Sequence, residues 1–332
     1  MSTLIFGGGG FIGLTIAERL LKAGESVTIA DRTAPPAAAL AALGRLGAVG
    51  TVLGDVRDGA FVAEAMATRP RRVVWGAAIT ADAARDASEP EAVLAINLAA
   101  LVPVLRLARD AGVARILNLS SVAAIGEAAF APGLDEIRED TRCEPIGLYS
   151  LTKFSTERVV SRLADLWRLD ALSVRLSSVY GPWERKTGER DTPSPIFQIA
   201  RLATRGEAAL MAAPSNRDWV HARDVADAVA TLLDAPKPRH RLYHISSGTT
   251  FEALALAQAL AREIPSLAPR LTRAGETPTV DIYGIRDRAK LSIARLSTEF
   301  GWRPRFAGID DALADYLAWQ RDNATYWQEA TR

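Results

Sequence analysis

Leu4-Ile5-Phe6-Gly7-Gly8-Gly9-Gly10-Phe11-Ile12-Gly13 opens the chain with a short apolar run, four glycines and the start of a helical pattern that continues to Lys22. A strand that turns straight into a helix leaves backbone N–H groups exposed at the positive helix end, and glycine lets a pyrophosphate approach them. Gly7, Gly10, Phe11, Ile12 and Gly13 are therefore candidate contacts to a dinucleotide. A second apolar run, Val27–Ala30, ends at Asp31, 24 residues after Gly7. A carboxylate there accepts both hydroxyls of the adenine ribose and repels a 2′-phosphate. Arg32 pulls the other way, since a guanidinium beside the ribose pairs with the 2′-phosphate of NADP. NAD is the cofactor expected and NADP the second choice, because Asp31 would first have to be neutralised. Asp55 and Val56 follow the run Val49–Leu53 and fall where a side chain and a backbone amide can meet the adenine ring.

Working outward, short β-type runs alternate with helical ones, the pattern of βαβ units around a parallel sheet buried on both faces. Strands are expected at Leu4–Phe6, Val27–Ala30, Val49–Leu53, Arg72–Trp75, Arg115–Leu119 and Leu172–Arg175, and helices at Ile12–Lys22, Gly59–Ala67, Glu91–Arg109 and Tyr149–Trp167. The Ala/Pro-rich stretch Ala34–Ala42 reads as a loop running into a helix. Pro103 removes a backbone donor inside the third of these helices and predicts a kink or a locally exposed carbonyl there. After Arg175 the chain becomes rich in proline, glycine and charge, as in loops that build a substrate lid, before Asp224–Leu233 and Leu242–Ser246 return as a helix and a strand. The fold expected is α/β: a Rossmann-type doubly wound parallel sheet with a smaller, discontinuous C-terminal substrate domain. Residues 1–175 with about 217–248 would bind the dinucleotide, and about 176–216 with 249–332 the substrate.

Tyr149-Ser150-Leu151-Thr152-Lys153 sets a phenol and an ammonium four residues apart, on one face of a helix. A phenol titrates near ~10 in water, and an adjacent positive charge favours the phenolate, which brings the group toward use as a general base. Lys153 can supply that charge and reach the nicotinamide ribose. Ser121, at the C-terminal end of a predicted strand, is placed to polarise the reacting oxygen.

The 40 basic and 39 acidic side chains of the 332 residues nearly cancel, so no general attraction draws nucleic acid or anionic lipid to the chain. Cys143 is the lone cysteine; it reads as a small apolar filler, and its solitude excludes an intrachain disulfide. His221, His240 and His244 form no metal-ligand cluster, and no metal is expected. Trp183 could equally wall a pocket or fill the core. The run Leu4–Phe6 lacks the charged flank of a signal peptide, and no run reaches the ~20 uninterrupted apolar residues of a membrane helix. A cytoplasmic enzyme is expected, with a small molecule as its partner and no nucleic acid or membrane.

Taken in order, Gly7–Gly13, Asp31, Asp55-Val56, Trp75-Gly76-Ala77-Ala78, Asn97, Ser120-Ser121, Tyr149–Lys153, Arg175–Pro182, Arg217–Ala226 and Phe300–Pro304 resemble the extended short-chain dehydrogenase/reductase superfamily, specifically its NAD-dependent epimerase/dehydratase group. The resemblance spans almost the whole chain. It implies a catalytic set of Ser121, Tyr149 and Lys153, with Ala77, Ala78 and Asn97 lining the cofactor site and Leu176 and Val179 flanking the nicotinamide. It also implies a homodimer through the helices at 91–109 and 149–167, consistent with a run from Ala92 to Ala108 that is apolar on nearly every face.

Departures from the family pattern bear on the substrate. Ser178 stands where members acting on nucleotide sugars usually carry Asn, and Ile282-Tyr283-Gly284-Ile285 aligns with a segment that contributes a diphosphate-binding arginine; Arg217 remains, and Arg286 is near. Ser121, Ser178 and Arg217 are the candidate substrate contacts. Val122-Ala123 stands where dehydratases and decarboxylases of the group place a carboxylate, and Cys143 does not match the acid/base cysteine of reductive epimerases. Oxidation of a secondary hydroxyl on a sugar or nucleotide sugar, ending in NADH release or in 4-epimerisation, is the reaction expected. Two alternatives stand beside it: a dehydrogenase of a non-nucleotide sugar acid, hydroxy acid or polyol, and a catalytically silent dinucleotide sensor.

Overall fold

The computed structural model of the chain describes residues 1–282, 284 and 286–331. Tyr283 and Ile285 of the segment aligned above lie outside the described residues. Seven strands form the main sheet: β1 (Ser2–Phe6), β2 (Ser26–Asp31), β3 (Val49–Leu53), β4 (Arg72–Trp75), β5 (Arg115–Ser121), β6 (Ala171–Leu176) and β7 (Leu242–Ile245). Every neighbouring pair is parallel, in the order β7-β6-β5-β4-β1-β2-β3. From β1 the chain builds first toward β3 and then, through β4, toward β7. The reversal beside β1 opens a crevice at the C-terminal strand ends, where doubly wound sheets place ligands.

The period-two alternation of the strands sorts their side chains to two cores. On one face Ile5, Ile29, Val74, Leu117 and Val174 pack with helices α1 (Phe11–Lys22), α2 (Ala37–Gly44) and α6 (Ala222–Asp234). On the other, Leu4, Phe6, Val73, Trp75 and Ile116 pack with α3 (Gly59–Ala67), α4 (Pro90–Asp110) and α5 (Leu148–Trp167). Strand β5 runs two residues past its expected end because Ser120 and Ser121 pair with Arg175 and Leu176 of β6. That extension carries Ser121 to the crevice.

Helix α4 answers the expectation raised by Pro103. Its middle turn, Ala95–Ala99, is a π-helix in which the Ala100 N–H donates to the Ala95 carbonyl at 2.9 Å. Proline crowds the carbonyl four residues before it and offers no donor, and the wider turn one step ahead of Pro103 takes up that conflict without a break. By length and mean hydropathy (1.8) this helix could cross a bilayer. Here it lies on the sheet, with Val93, Leu101, Val104 and Leu105 buried and Glu91, Arg106 and Arg109 exposed. Leu94 remains 42% exposed on its outer side.

Trp183 belongs to the core: it is buried edge-on against Trp319 and Tyr326, and its indole N–H donates to Glu18 at 2.6 Å. His221 caps α6, its Nδ1 accepting from the Arg223 N–H at 3.4 Å; burial and the adjacent Arg223 lower its pKa to about 3, so the ring is neutral.

At the other end of α6 a buried arginine does the capping. Arg115, the first residue of β5, donates from Nη1 to the carbonyls of Leu232 (2.6 Å) and Ala235, and its Nε pairs with Asp170 at 3.1 Å. A cation at a helix C-terminus satisfies orphan carbonyls and opposes the helix dipole. Arg115→Met should therefore lower the unfolding free energy by roughly 2–4 kcal/mol, measured by urea denaturation; a loss under about 0.5 kcal/mol would show that the helix end is satisfied without it.

Candidate active site

The glycine corner is shaped by contacts that leave no room for side chains. Gly7 has φ +71°, and a Cβ there would lie 2.7 Å from the Ala77 nitrogen; a Cβ on Gly13 would lie 2.5 Å from the Gly8 Cα. The first turn of α1 is thus drawn onto the β1 loop, and that loop onto the one following β4. The resulting cradle at a helix N-terminus fits a dinucleotide pyrophosphate. Asp31 fastens the corner to β2: its carboxylate accepts from the Gly9 N–H at 2.9 Å and from the Arg32 N–H at 2.7 Å.

These groups open onto a single cleft of about 840 Å³. Gly7, Gly10, Phe11, Ile12, Gly13, Asp31, Arg32, Asp55, Val56, Ala77, Ala78, Leu176 and Val179 all line it, together with Ser121, Tyr149, Ser178 and Arg217. Candidate residues separated by as many as 210 positions thereby meet in one space. Asp55 reaches it with its carboxylate already engaged, held in a fork by Arg57 (2.6 and 2.9 Å) that also lowers its pKa.

Two candidates stand behind the cleft wall. Asn97, at the π turn of α4, is buried; its amide accepts from the Ile79 N–H at 2.7 Å and donates to the Ile79 carbonyl at 2.9 Å and to Thr152 Oγ1 at 3.2 Å. It fixes the loop that follows Ala77-Ala78 and ties it to α5. Lys153 is also buried, its Nζ donating to the Leu119 carbonyl at 2.8 Å and standing 5.7 Å from the centre of the Tyr149 ring. Burial, opposed by the charge of Glu157, lowers its pKa to about 8. The ammonium therefore sits under the phenol while tied to the strand that ends in Ser121. Ser121 Oγ accepts from the Ala123 N–H at 3.2 Å, which starts a short 3-10 turn and holds the serine at the strand end.

Below this trio lies a group that sequence reasoning missed. Glu157, one turn beyond Lys153, accepts from Ser120 Oγ at 2.6 Å and from the Arg175 guanidinium at 2.8 and 2.7 Å. The i, i+4 step from Tyr149 to Lys153 to Glu157 was the available signal; its partners on β5 and β6 carried none. Cys143 is not a bare filler either: its half-buried sulfur accepts from Arg175 Nη2 at 3.3 Å, and burial pushes its thiol pKa up.

A second missed feature is the strap 184–192, which lines the cleft. Its base is Glu184, buried and accepting from the Ser194 N–H and hydroxyl at 2.7 and 2.6 Å. From there Arg185 donates to the Gly9 carbonyl at 2.8 Å, the Thr80 N–H donates to the Glu189 carbonyl at 2.7 Å, and Arg85 pairs with Asp191 at 3.2 Å. Glu189 also forms an ion pair with Arg32.

Elsewhere in the cleft lining, Arg217 donates to the Gly284 carbonyl at 2.7 Å, Arg286 pairs with Glu127 at 2.7 Å, and the buried Arg288 pairs with Asp218 at 2.7 Å while reaching Ser178 Oγ at 3.3 Å. Among the described residues no group of three or more His, Cys, Asp or Glu side chains is placed to hold a metal.

The buried ammonium carries a stability cost with a definite pH signature. The unfolded chain holds the Lys153 proton up to its ordinary pKa of 10.5 and the folded chain releases it near 8, so stability rises with pH between those values. Lys153→Met should be more stable than the parent at pH 7 by roughly 2–3 kcal/mol, after allowance for the lost hydrogen bond, and the gap should close toward pH 10. Urea midpoints at both pH values measure this; a variant less stable at pH 7 contradicts it.

The model of the NAD-dependent epimerase/dehydratase family matches residues 3–246. The chain is 27% identical to the dTDP-glucose 4,6-dehydratase of Mycobacterium tuberculosis (99% of this chain, 96% of that one) and 26% identical to the UDP-glucose 4-epimerase of Mycolicibacterium smegmatis (92% and 95%). Its fold superposes with a TM-score of 0.79 on the UDP-glucose-4-epimerase from Stenotrophomonas maltophila with bound NAD and formylated UDP-arabinopyranose, at 23% identity over 98% of this chain and 99% of that one. Glycine corner, Asp31, Tyr149/Lys153 helix and parallel sheet thus come with a match over residues 3–246, and the chain belongs to the NAD-dependent epimerase/dehydratase family of extended short-chain dehydrogenases/reductases.

Proposed function

We propose that the protein oxidises a secondary hydroxyl of a nucleotide sugar and returns the hydride to the opposite face of the same carbon, acting as an epimerase. The observation that carries this reading is the convergence of Tyr149 and Ser121 on the cleft that begins at the glycine corner, with Lys153 buried beneath the phenol. NAD, when bound, supplies the hydride acceptor and donor. Tyr149 takes the hydroxyl proton as the alcohol carbon gives up its hydride and returns that proton when the carbonyl is reduced again; the Lys153 ammonium favours the phenolate through its charge. Ser121 donates to the oxygen that becomes the carbonyl.

The reaction outcome is supported by what flanks Ser121. Val122 and Ala123 line the cleft directly after it, and neither can protonate or deprotonate a sugar carbon, which favours epimerisation over dehydration. The nucleotide is supported by the relatives, named as enzymes of UDP- and dTDP-sugars, and by Arg217, Arg286 and Arg288 in the cleft lining. In this reading residues 1–175 with 217–248 hold the dinucleotide, and 176–216 with 249–332 the substrate. The outer faces of α4 and α5, where Leu94, Leu151 and Leu166 are exposed, form the dimer contact.

Incubation with UDP-glucose and NAD, followed by chromatography of the UDP-sugars, tests the reading. The parent should produce the 4-epimer without net NADH. Tyr149→Phe should slow turnover by about 100-fold or more while its NAD dissociation constant, from calorimetry, stays unchanged. Turnover that survives in Tyr149→Phe removes the phenol from the chemistry. NADH accumulation with a free hydroxy acid or polyol, and none with UDP- or dTDP-sugars, replaces the proposal with the non-nucleotide dehydrogenase.

A further inference from the structure

We propose that Glu189 is a cofactor-specificity residue: by engaging the Arg32 guanidinium in an ion pair, it closes the adenine-ribose end of the cleft to a 2′-phosphate and so selects NAD over NADP. The proposal rests on the dinucleotide lying at the glycine corner and adds a residue from a distant strap to the choice between its two forms.

The sequence leaves this choice divided. Asp31 repels a 2′-phosphate, while Arg32, the next residue, is a ready partner for one. In the structure the division is resolved from outside the β2 loop. Glu189 reaches across from 157 positions away and its carboxylate binds Arg32 Nη2. Asp31 is fixed in place by the Gly9 and Arg32 N–H groups, and all three side chains line the cleft. A 2′-phosphate arriving here meets two carboxylates and the Arg32 guanidinium, whose charge Glu189 already matches, while Arg85, on the other side of Glu189 at 3.8 Å, does not line the cleft. To pair with Arg32 it must first displace Glu189, and the displaced carboxylate would remain beside it.

Glu189 is held by more than this pair. Thr80 N–H donates to its carbonyl at 2.7 Å, Thr80 and Arg190 form a parallel bridge, and Arg85 donates to the Gly188 carbonyl at 2.6 Å. The base of the strap is anchored by the buried Glu184. Backbone contacts thus set the strap opposite Arg32, and the Glu189 carboxylate adds a longer ion pair to Arg85 at 3.8 Å. A half-exposed ion pair contributes little to folding; its consequence here is the occupation of the one group suited to the 2′-phosphate.

Calorimetric titration of NAD and NADP into the parent, Glu189→Gln and Glu189→Gln/Arg32→Ala tests this. The isosteric amide removes the charge and releases Arg32. NADP should bind Glu189→Gln about tenfold more tightly than it binds the parent, the scale of a charge-assisted contact to phosphate, while the NAD constant moves less than about threefold. The second substitution should abolish the NADP gain. If Glu189→Gln weakens both dinucleotides by the same factor, the residue serves only to fasten the strap and the proposal is overturned. A gain that survives without Arg32 overturns it as well. Failure of the parent to bind NAD would instead remove the placement of the dinucleotide at the corner, a different result from an unchanged NADP/NAD ratio.

Discussion

The hold of helix α5 on strands β5 and β6 is the constraint on which the site depends. Lys153 is tied to the Leu119 carbonyl, and Glu157 joins Ser120 to Arg175. Neither link is an economical source of stability, since a buried charge loses more hydration than most pairs return. What the links fix is phase. A helix rotated by one residue turns its side chains by 100°, which would carry Tyr149 out of the cleft. With Lys153 and Glu157 both engaged on the same face, one rotation and one axial position satisfy every buried charge, and the phenol follows from them. Lys153 is thus a site where local stability is given up to place a charge beneath the Tyr149 phenol.

The parallel sheet does the remaining assembly. Its strands all end on the same side, so residues that follow β1, β2, β3, β4, β5 and β6 reach the cleft whatever their separation in sequence. Gly7, Asp31, Val56, Ala77, Ser121 and Val179 each lie at or shortly after a strand end, and each contributes there. Loop segments from later in the chain then complete the walls: the strap beside Arg32, and Arg286 and Arg288 beside Glu127 and Ser178.

This division explains what was legible in the sequence. Strand and helix patterns are local, and the seven expected strands and the helices around them form with ends shifted by at most two residues. The glycine corner and the Tyr149/Lys153 spacing were equally legible, because both depend on neighbours within one or two turns. Orientation across elements was not. Asn97 could be placed near the cofactor loop, but nothing local said that its amide would bind Ile79 and not face the cleft. Asp55 could be placed at the adenine end, but Arg57, two residues on, takes its carboxylate. Trp183, poised in the sequence between wall and core, is drawn into the core by Glu18 and by aromatic rings more than 130 residues downstream. The strap carries no periodicity at all, and its role rests on partners in four separate segments.

The cleft lining shows how a nearly neutral protein can carry cationic groups without leaving them uncompensated. Arg217, Arg286 and Arg288 gather there, yet each is already engaged: with a carbonyl, with Glu127 and with the buried Asp218 respectively. Three uncompensated guanidinium groups in one cleft would repel each other and bind any passing anion. Engaged as they are, they impose a graded cost on a ligand. The Glu127–Arg286 pair is half-exposed and can be exchanged cheaply, whereas Arg288 is buried against Asp218, and breaking that pair would strand a charge in the interior. An anion in the cleft would therefore displace Glu127 from Arg286 at less cost than Asp218 from Arg288. Ile282 lines the same cleft and adds no charge to this set.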